Sequence, residues 1–67
     1  MITIDFNGES KRIDDGSTVD DLLRLAQVES RFCAVERNLE IVPKGLYESM
    51  TLAEGDKVEV VTLVGGG

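Results

Sequence analysis

The sequence predicts an α+β fold in which one main helix packs across one face of a mixed β-sheet. Three observations support this prediction: an alternating apolar run opens the chain, a helical repeat of apolar residues follows, and the longest β-branched run comes last. In chain order the predicted elements are β-β-α-β-β-β, a two-layer architecture. We expect residues 1–67 to form a single domain, because a chain this short supplies one core only.

The first predicted element is a β-hairpin. Apolar and polar residues alternate over residues 1–6, which is the period of a half-buried strand. Asn7-Gly8 follows and favours a type I′ turn, since that turn needs a positive φ at both central positions. Residues 9–13 are therefore expected to run back antiparallel to the first strand.

A helix is predicted over residues 19–28. Thr18 is a favoured N-cap residue, and Asp20 and Asp21 lie in the first turn, where carboxylates interact well with the positive end of the helix dipole. Four apolar residues recur at helical spacing: Val19, Leu22, Leu23 and Ala26. This repeat predicts a helix face that covers the sheet.

The middle of the chain predicts short elements joined by turns. Residues 32–35 read as a third strand, and residues 36–38 as a polar turn. A short edge strand is expected over residues 41–43, where Pro43 stops further pairing because it has no N–H to donate. Residues 44–50 should form one irregular or 3₁₀ turn.

The last predicted strand covers residues 57–64 and comes after turn residues at 54–56. Its side chains alternate between the two sheet faces, and a single helix covers only one of them. The alternation gives this assignment: Val58 and Val60 toward the helix, Val61 and Leu63 away from it. An exposed apolar patch is therefore predicted next to the C-terminal residues, either as a docking surface or as ordinary scattered surface apolarity.

Composition narrows the classes of function. Thirteen acidic and seven basic residues give a formal charge of −6, which repels nucleic-acid phosphate, so we expect no nucleic-acid partner and a basic protein partner instead. No basic segment followed by a long apolar run opens the chain, and no run approaches membrane-spanning length. We therefore expect a cytoplasmic location and no membrane partner.

Side chains offer little catalytic chemistry. The chain has no histidine and a single cysteine, Cys33, which excludes an internal disulfide and a His/Cys zinc site. Cys33 is expected to be a core or half-buried strand residue, Tyr47 a packing residue and Arg37 a solvated turn residue. The acidic pairs at 14–15 and 20–21 are assigned to turn and helix-dipole roles, with no metal site and no enzyme activity expected.

The chain ends in Gly65-Gly66-Gly67, directly after the last predicted strand. Glycine has no Cβ, so a flexible tail of glycines can be threaded, extended, into a narrow site of a partner. The carboxylate of Gly67 is then the candidate reactive group. A carboxylate is a poor electrophile, so acyl transfer from it must begin with activation by a partner, most economically adenylation with ATP. The alternative is a frayed, inert end.

Six segments carry a resemblance to a known family: residues 4–8, 16–19 with 22–23, 34–38, 41–43, 54–61 and 64–67. Together they span essentially the whole chain, which resembles the ThiS family of prokaryotic sulfur carriers in the ThiS/MoaD superfamily. The resemblance implies a ubiquitin-like β-grasp fold. It also implies that Gly67 is functional, with Gly65 and Gly66 as a slim stem that enters partner active sites.

The same resemblance implies a reaction cycle and its partners. A ThiF-like adenylyltransferase would use Mg-ATP to adenylate the Gly67 carboxylate, and sulfur from a cysteine desulfurase or another donor would displace AMP. The resulting thiocarboxylate would deliver sulfur to a ThiG-like thiazole synthase in thiamine biosynthesis. No cofactor is bound stably in this cycle. Val61, Leu63 and Val64 are assigned as docking contacts on the strand alternation.

Three other readings stay open from the sequence. A carrier for tRNA thiolation or another cofactor would form the same thiocarboxylate and pass sulfur to a different acceptor. A ubiquitin-like modifier would join Gly67 to lysines of other proteins. A plain interaction module would have an inert tail, so that loss of Gly66 and Gly67 would leave its function intact.

Overall fold

The computed structural model describes residues 1–63, which form a five-stranded sheet and one α-helix. The elements are β1 (Ile2–Phe6), β2 (Glu9–Ile13), α1 (Val19–Leu25), β3 (Cys33–Arg37), β4 (Glu40–Ile41) and β5 (Lys57–Thr62). Single 3₁₀ turns lie at Ser30–Phe32 and Lys44–Leu46, the second within the predicted irregular segment. The predicted order β-β-α-β-β-β is confirmed.

The sheet is mixed, as predicted, and its strand order is β2-β1-β5-β3-β4. The first strand pairs in parallel with the last, with Asp5 opposite Lys57 and Phe6 opposite Val58. The other three strand pairs are antiparallel. The strand that leads to the C-terminal residues is therefore the central strand, with a neighbour on each side.

The core lies between α1 and one face of the sheet. Its buried apolar side chains are Ile4, Ile13, Val19, Leu22, Leu23, Cys33, Val35, Val42, Tyr47, Leu52, Val58 and Val60. The inward direction of Val58 and Val60 and the core positions of Cys33 and Tyr47 are thus confirmed. Among the described residues, no helix is both long and apolar enough to cross a bilayer.

Helix α1 begins as predicted and ends earlier. Thr18 is the N-cap: its hydroxyl accepts from the N–H of Asp21 at 3.1 Å, and the Asp21 carboxylate accepts from the N–H of Thr18 at 3.0 Å. The predicted end at residue 28 is wrong, because Gln27 takes a positive φ of 61°. The N–H of Val28 then returns to the carbonyl of Leu23 at 2.9 Å, which closes a Schellman motif.

The second hairpin begins and turns later than predicted. Phe32 belongs to a 3₁₀ turn, and β3 runs on to Arg37, so the predicted strand at 32–35 and polar turn at 36–38 are both shifted. The turn is Asn38-Leu39, whose φ angles of 52° and 71° reverse the chain in two residues. The edge strand is correspondingly Glu40–Ile41 instead of residues 41–43.

The last strand is shorter in the structure than in the prediction. β5 ends at Thr62, and Leu63 lies just beyond it, joined to the neighbouring chain segment by a hydrogen bond from its N–H to the carbonyl of Phe32 at 2.6 Å. The predicted strand end at Val64 lies outside the described residues, as does the tail at residues 65–67.

Candidate functional site

An apolar surface lies on the face of the sheet that turns away from α1, close to the end of β5. Val61 is 61% exposed and Leu63 is 54% exposed, in agreement with the predicted alternation. Ala34 is paired with Val61 across the strands and is exposed as well. Ile41, on the edge strand, is 77% exposed. We call these four residues the outer patch.

The outer patch is continuous. A shallow groove joins Ala34, Ile41 and Leu63 along the side of β3, and Pro43 lines its wall. Sequence reasoning identified Val61 and Leu63 but missed Ile41, which it placed in the edge strand without assigning a sheet face. Ile41 and Val42 are both apolar, so the sequence does not show that Ile41 is exposed and Val42 buried.

Acidic side chains border the outer patch on one side. Glu36 of β3 lies directly opposite Glu59 of β5, two register positions from the Ala34–Val61 pair. Glu36 is also opposite Ile41 of β4. Both carboxylates therefore project from the same sheet face as the patch.

Asn7 anchors β5 immediately before the outer patch. The side-chain oxygen of Asn7 accepts from the N–H of Val60 at 2.7 Å, and its side-chain nitrogen donates to the carbonyl of Val60 at 3.2 Å. The backbone N–H of Asn7 donates to the carbonyl of Val58 at 2.9 Å. One carboxamide thus takes the place of a pairing strand and holds β5 two residues after β1 has turned away.

Asp56 anchors the other end of β5. It is only 6% exposed, and its carboxylate accepts from Arg37 Nε at 2.8 Å, from the N–H of Ala53 at 2.8 Å and from Asn38 Nδ2 at 3.1 Å. Burial alone would raise the pKa of Asp56, but these hydrogen bonds outweigh it and hold the pKa below its usual range. The carboxylate is therefore ionised and fixed in place.

This arrangement corrects the sequence-based role of Arg37. It is a half-buried residue of β3 that pairs with a buried carboxylate, and the predicted solvated-turn role is wrong. The role of Asp56 went unrecognised because Glu54-Gly55-Asp56 is ordinary turn chemistry in sequence. The partners of Asp56 at positions 37 and 38 are distant along the chain, so no local sequence pattern indicates them.

Cys33 does not have the environment of a reactive thiol. Its side chain is fully buried, and burial raises the pKa of the thiol, with Lys44 and Tyr47 opposing the shift only in part. The Sγ atom lies 3.6 Å from the carbonyl oxygen of Ser30, to which it donates a weak hydrogen bond. Cys33 is a packing residue, as expected from its position in a strand.

The acidic pairs near α1 have local partners. Asp21 caps the helix, Asp20 pairs with Arg24 at 3.1 Å, and Asp15 accepts from the N-terminal amine of Met1 at 2.9 Å. Within residues 1–63 no three His, Cys, Asp or Glu side chains are grouped so that they could hold a metal ion. The candidate residues Val64, Gly65, Gly66 and Gly67 lie outside the described part of the chain.

Comparison with known proteins adds a family match and several relatives. The model of the ThiS family matches residues 4–67. The sulfur carrier protein ThiS of Bacillus subtilis is 43% identical over 53 residues, which cover 79% of this chain and 80% of that protein. The crystal structure of the thiamine biosynthesis protein ThiS from Geobacter metallireducens superposes with a TM-score of 0.83 at 28% identity, covering 98% of this chain and 100% of that one.

A further relative is a much longer protein. Thiazole synthase of Paramagnetospirillum magneticum is 49% identical over 61 residues, which cover 91% of this chain and 19% of that protein. The chain therefore spans about a fifth of the length of the thiazole synthase relatives that it matches.

Proposed function

Since the chain belongs to the ThiS family, we propose that it is a sulfur carrier protein of thiamine biosynthesis, a cosubstrate of other enzymes with no catalytic activity of its own. The observation that carries the proposal is the family match, which extends over residues 4–67 and so includes the glycines. The chain also has the β-grasp fold of a solved ThiS protein.

The proposed chemistry takes place at the carboxylate of Gly67. A ThiF-like adenylyltransferase binds Mg-ATP, a carboxylate oxygen attacks the α-phosphorus, and pyrophosphate leaves. A sulfur nucleophile then displaces AMP from the acyl-adenylate. Hydrosulfide gives the thiocarboxylate directly, whereas the persulfide of a cysteine desulfurase gives an acyl disulfide, which a thiol reductant cleaves with two electrons to the thiocarboxylate. Gly65 and Gly66 have no side chains to obstruct a narrow active site, which suits them to carry Gly67 into it. This carrier needs no resident cofactor.

A ThiG-like thiazole synthase is the proposed acceptor of the sulfur. Supporting this choice, a segment similar to this chain forms about a fifth of each of two proteins named thiazole synthase. Covalent linkage raises the effective concentration of one domain at the other, so it benefits two domains that react with each other. A thiocarboxylate form of this chain should therefore yield its sulfur to thiazole synthase and return to the carboxylate, as intact mass would record.

The described residues supply a rigid base for such a tail. β5 is held by Asn7 on one flank and by the β3 ladder on the other, up to the hydrogen bond between Leu63 and Phe32. The exposed residues Val61 and Leu63, with Val64 after them, are the proposed contacts with the adenylyltransferase. Apolar residues beside a reactive tail would orient it on the partner surface.

The docking role is tested by Val61→Asp and Leu63→Asp. Both side chains are more than half exposed, so the variants should stay folded while binding the adenylyltransferase at least about tenfold more weakly, because a charge replaces an apolar contact. Unchanged affinity in calorimetry would remove these residues from the interface.

The carrier function is tested by intact mass spectrometry. The chain is incubated with adenylyltransferase, Mg-ATP and a sulfur source, and a variant lacking Gly67 serves as the control. We expect a mass gain equal to the exchange of one oxygen for sulfur in wild type alone. If a competent enzyme yields neither adenylate nor exchange, the carrier proposal fails.

A further inference from the structure

The outer patch is bordered by a pair of like charges that lie directly opposite each other. Glu36 and Glu59 occupy facing positions on β3 and β5. Hydrogen bonds between Asn38 and Lys57 and between Leu63 and Phe32 show which facing residues of this ladder are joined through their backbones. Glu36 and Glu59 form one of these backbone-bonded pairs, whose Cα atoms lie about 5.5 Å apart. Like charges so placed destabilise a sheet.

The pair has no cation of its own within residues 1–63. Neither carboxylate belongs to any of the four ion pairs of this part of the chain, and neither accepts a side-chain hydrogen bond there. The cation on the same face of β5 is Lys57, which lies two residues before Glu59 and opposite Asp5. On its other flank Glu36 faces the exposed side chain of Ile41. Two unneutralised carboxylates thus stand beside an apolar surface.

We propose that the outer patch docks on an apolar surface of the adenylyltransferase that carries an arginine, and that its guanidinium binds Glu36 and Glu59 together. This inference rests on the carrier function proposed above and adds the chemistry that selects the partner. Guanidinium presents five N–H donors in a planar fork, which suits it to bridge two carboxylates. Docking removes water from the pair, so a partner without the cation would leave two buried charges unpaired.

The same charges argue against other occupants of the patch. A second copy of this chain, packed face to face, would bring four carboxylates together and add to a formal charge that is already −6 per chain. A nucleic acid or an anionic lipid surface would meet the same repulsion. A basic protein surface with an apolar centre is the complementary occupant.

The experiment compares Glu36→Gln and Glu59→Gln with Glu48→Gln, which removes the same charge from an exposed position outside the sheet. The KM for the carrier is measured as pyrophosphate release by the adenylyltransferase with Mg-ATP. Each sheet variant should raise KM about tenfold with kcat retained, because one charge-assisted hydrogen bond is lost. The double variant should show less than the product of the two effects, since both carboxylates bind one group.

Thermal unfolding gives a second readout, in which the same variants should gain stability although they lose affinity for the enzyme. Removing either carboxylate relieves the repulsion, so Glu36→Gln and Glu59→Gln should each unfold at a higher temperature than wild type while binding the enzyme more weakly. Glu48→Gln should change neither property. If the glutamates had a merely structural role, the variants that bind the enzyme more weakly would also unfold at a lower temperature than wild type.

Several outcomes would overturn the inference, and they separate it from the carrier function. If wild type forms the thiocarboxylate and the KM of the sheet variants is unchanged, the docking inference alone is overturned. Wild type that the enzyme does not adenylate overturns both. Concentration-dependent dimerisation that is lost in Val61→Asp would assign the outer patch to a second copy and also overturn the inference.

Discussion

The two β-hairpins of the sheet turn in the same way on different sequences. Asn7-Gly8 joins β1 to β2, and Asn38-Leu39 joins β3 to β4. Asn7 and Asn38 have almost identical φ angles of 51° and 52°, and the residue after each also has a positive φ. Both asparagine side chains then bind the main chain of β5. The central strand is thus held by one turn asparagine from each flank.

The turns differ in the residue that comes after the asparagine. Gly8 adopts its φ of 85° without steric cost, whereas Leu39 at 71° bears a Cβ that clashes with the backbone, at a cost of about 1–2 kcal/mol. Leu39 is 79% exposed, so core packing does not compensate. The second turn is held instead by long-range hydrogen bonds, including the N–H of Asn38 to the carbonyl of Lys57 at 2.7 Å. The first turn is favoured locally, and the second is imposed by its partners.

Removing the Asp56 carboxylate should have the largest effect, because the second turn depends on it. Asp56→Asn leaves Arg37 without its buried ionic partner, and we expect a loss of about 2–3 kcal/mol in the free energy of unfolding, reduced from a fully buried pair because Arg37 is partly exposed. Urea unfolding measures it. Glu54→Gln is the matched control at an exposed neighbour and should cost less than about 0.5 kcal/mol; equal losses would contradict the role given to Asp56.

Acid should weaken the second turn through the same group. The pKa of Asp56 is lowered in the folded chain, so the unfolded chain binds the proton more readily and stability falls as the pH falls. The contribution is complete above the unfolded pKa of about 3.9 and is lost as the pH falls through the lower folded value. The stability difference between wild type and Asp56→Asn, measured from about pH 7 downward, should shrink below about pH 4. A constant difference would argue against an ionised Asp56.

Asn7→Gly and Asn38→Gly isolate the two side chains, because glycine keeps the positive φ. Asn7→Gly should cost about 1–2 kcal/mol, since the N–H and carbonyl of nearly buried Val60 lose their partner. Asn38→Gly should cost less, because Asp56 retains Arg37 and the N–H of Ala53. Chemical denaturation of both variants gives the order. The reverse order would mean that the second asparagine is the more important anchor.

The smallest expected effect is a gain. Leu39→Gly relieves the strained φ and should stabilise the domain by about 0.5–1 kcal/mol, since the exposed side chain loses little packing. Gly8→Ala is the mirror experiment and should destabilise by a similar amount. Thermal unfolding of both compares the two turns directly. A loss of stability in Leu39→Gly would show that the leucine side chain packs in the folded domain.

The same contrast explains which parts of the fold could be predicted. The first hairpin, the N-cap at Thr18 and the alternation of β5 are local patterns, and the structure confirms them. The helix end at Gln27 and the turn at Asn38-Leu39 put non-glycine residues at positive φ, which sequence patterns do not indicate. Tertiary hydrogen bonds to Asp56 and β5 make the second turn possible.

The candidate site also combines features set by local sequence with features set by tertiary contacts. Exposure of Val61 and Leu63 follows from strand period, so it could be read from the sequence. Opposition of Glu36 to Glu59 depends on the register between strands that are distant along the chain, which no local pattern specifies. The chemistry proposed at Gly67 follows from the terminal glycines and from the resemblance to the ThiS family, and no constellation of side chains points to it.

The parallel pairing of β1 with β5 has a kinetic consequence. It joins Asp5 to Lys57, so nearly the whole described chain forms one loop that must close before the centre of the sheet exists. Such high contact order slows folding and makes it cooperative, because β1 and β3 have no shared neighbour until β5 is in place. A protease cut or truncation that removes β5 should leave an unfolded chain, so the strand that precedes the glycines also decides whether there is a folded domain to carry them.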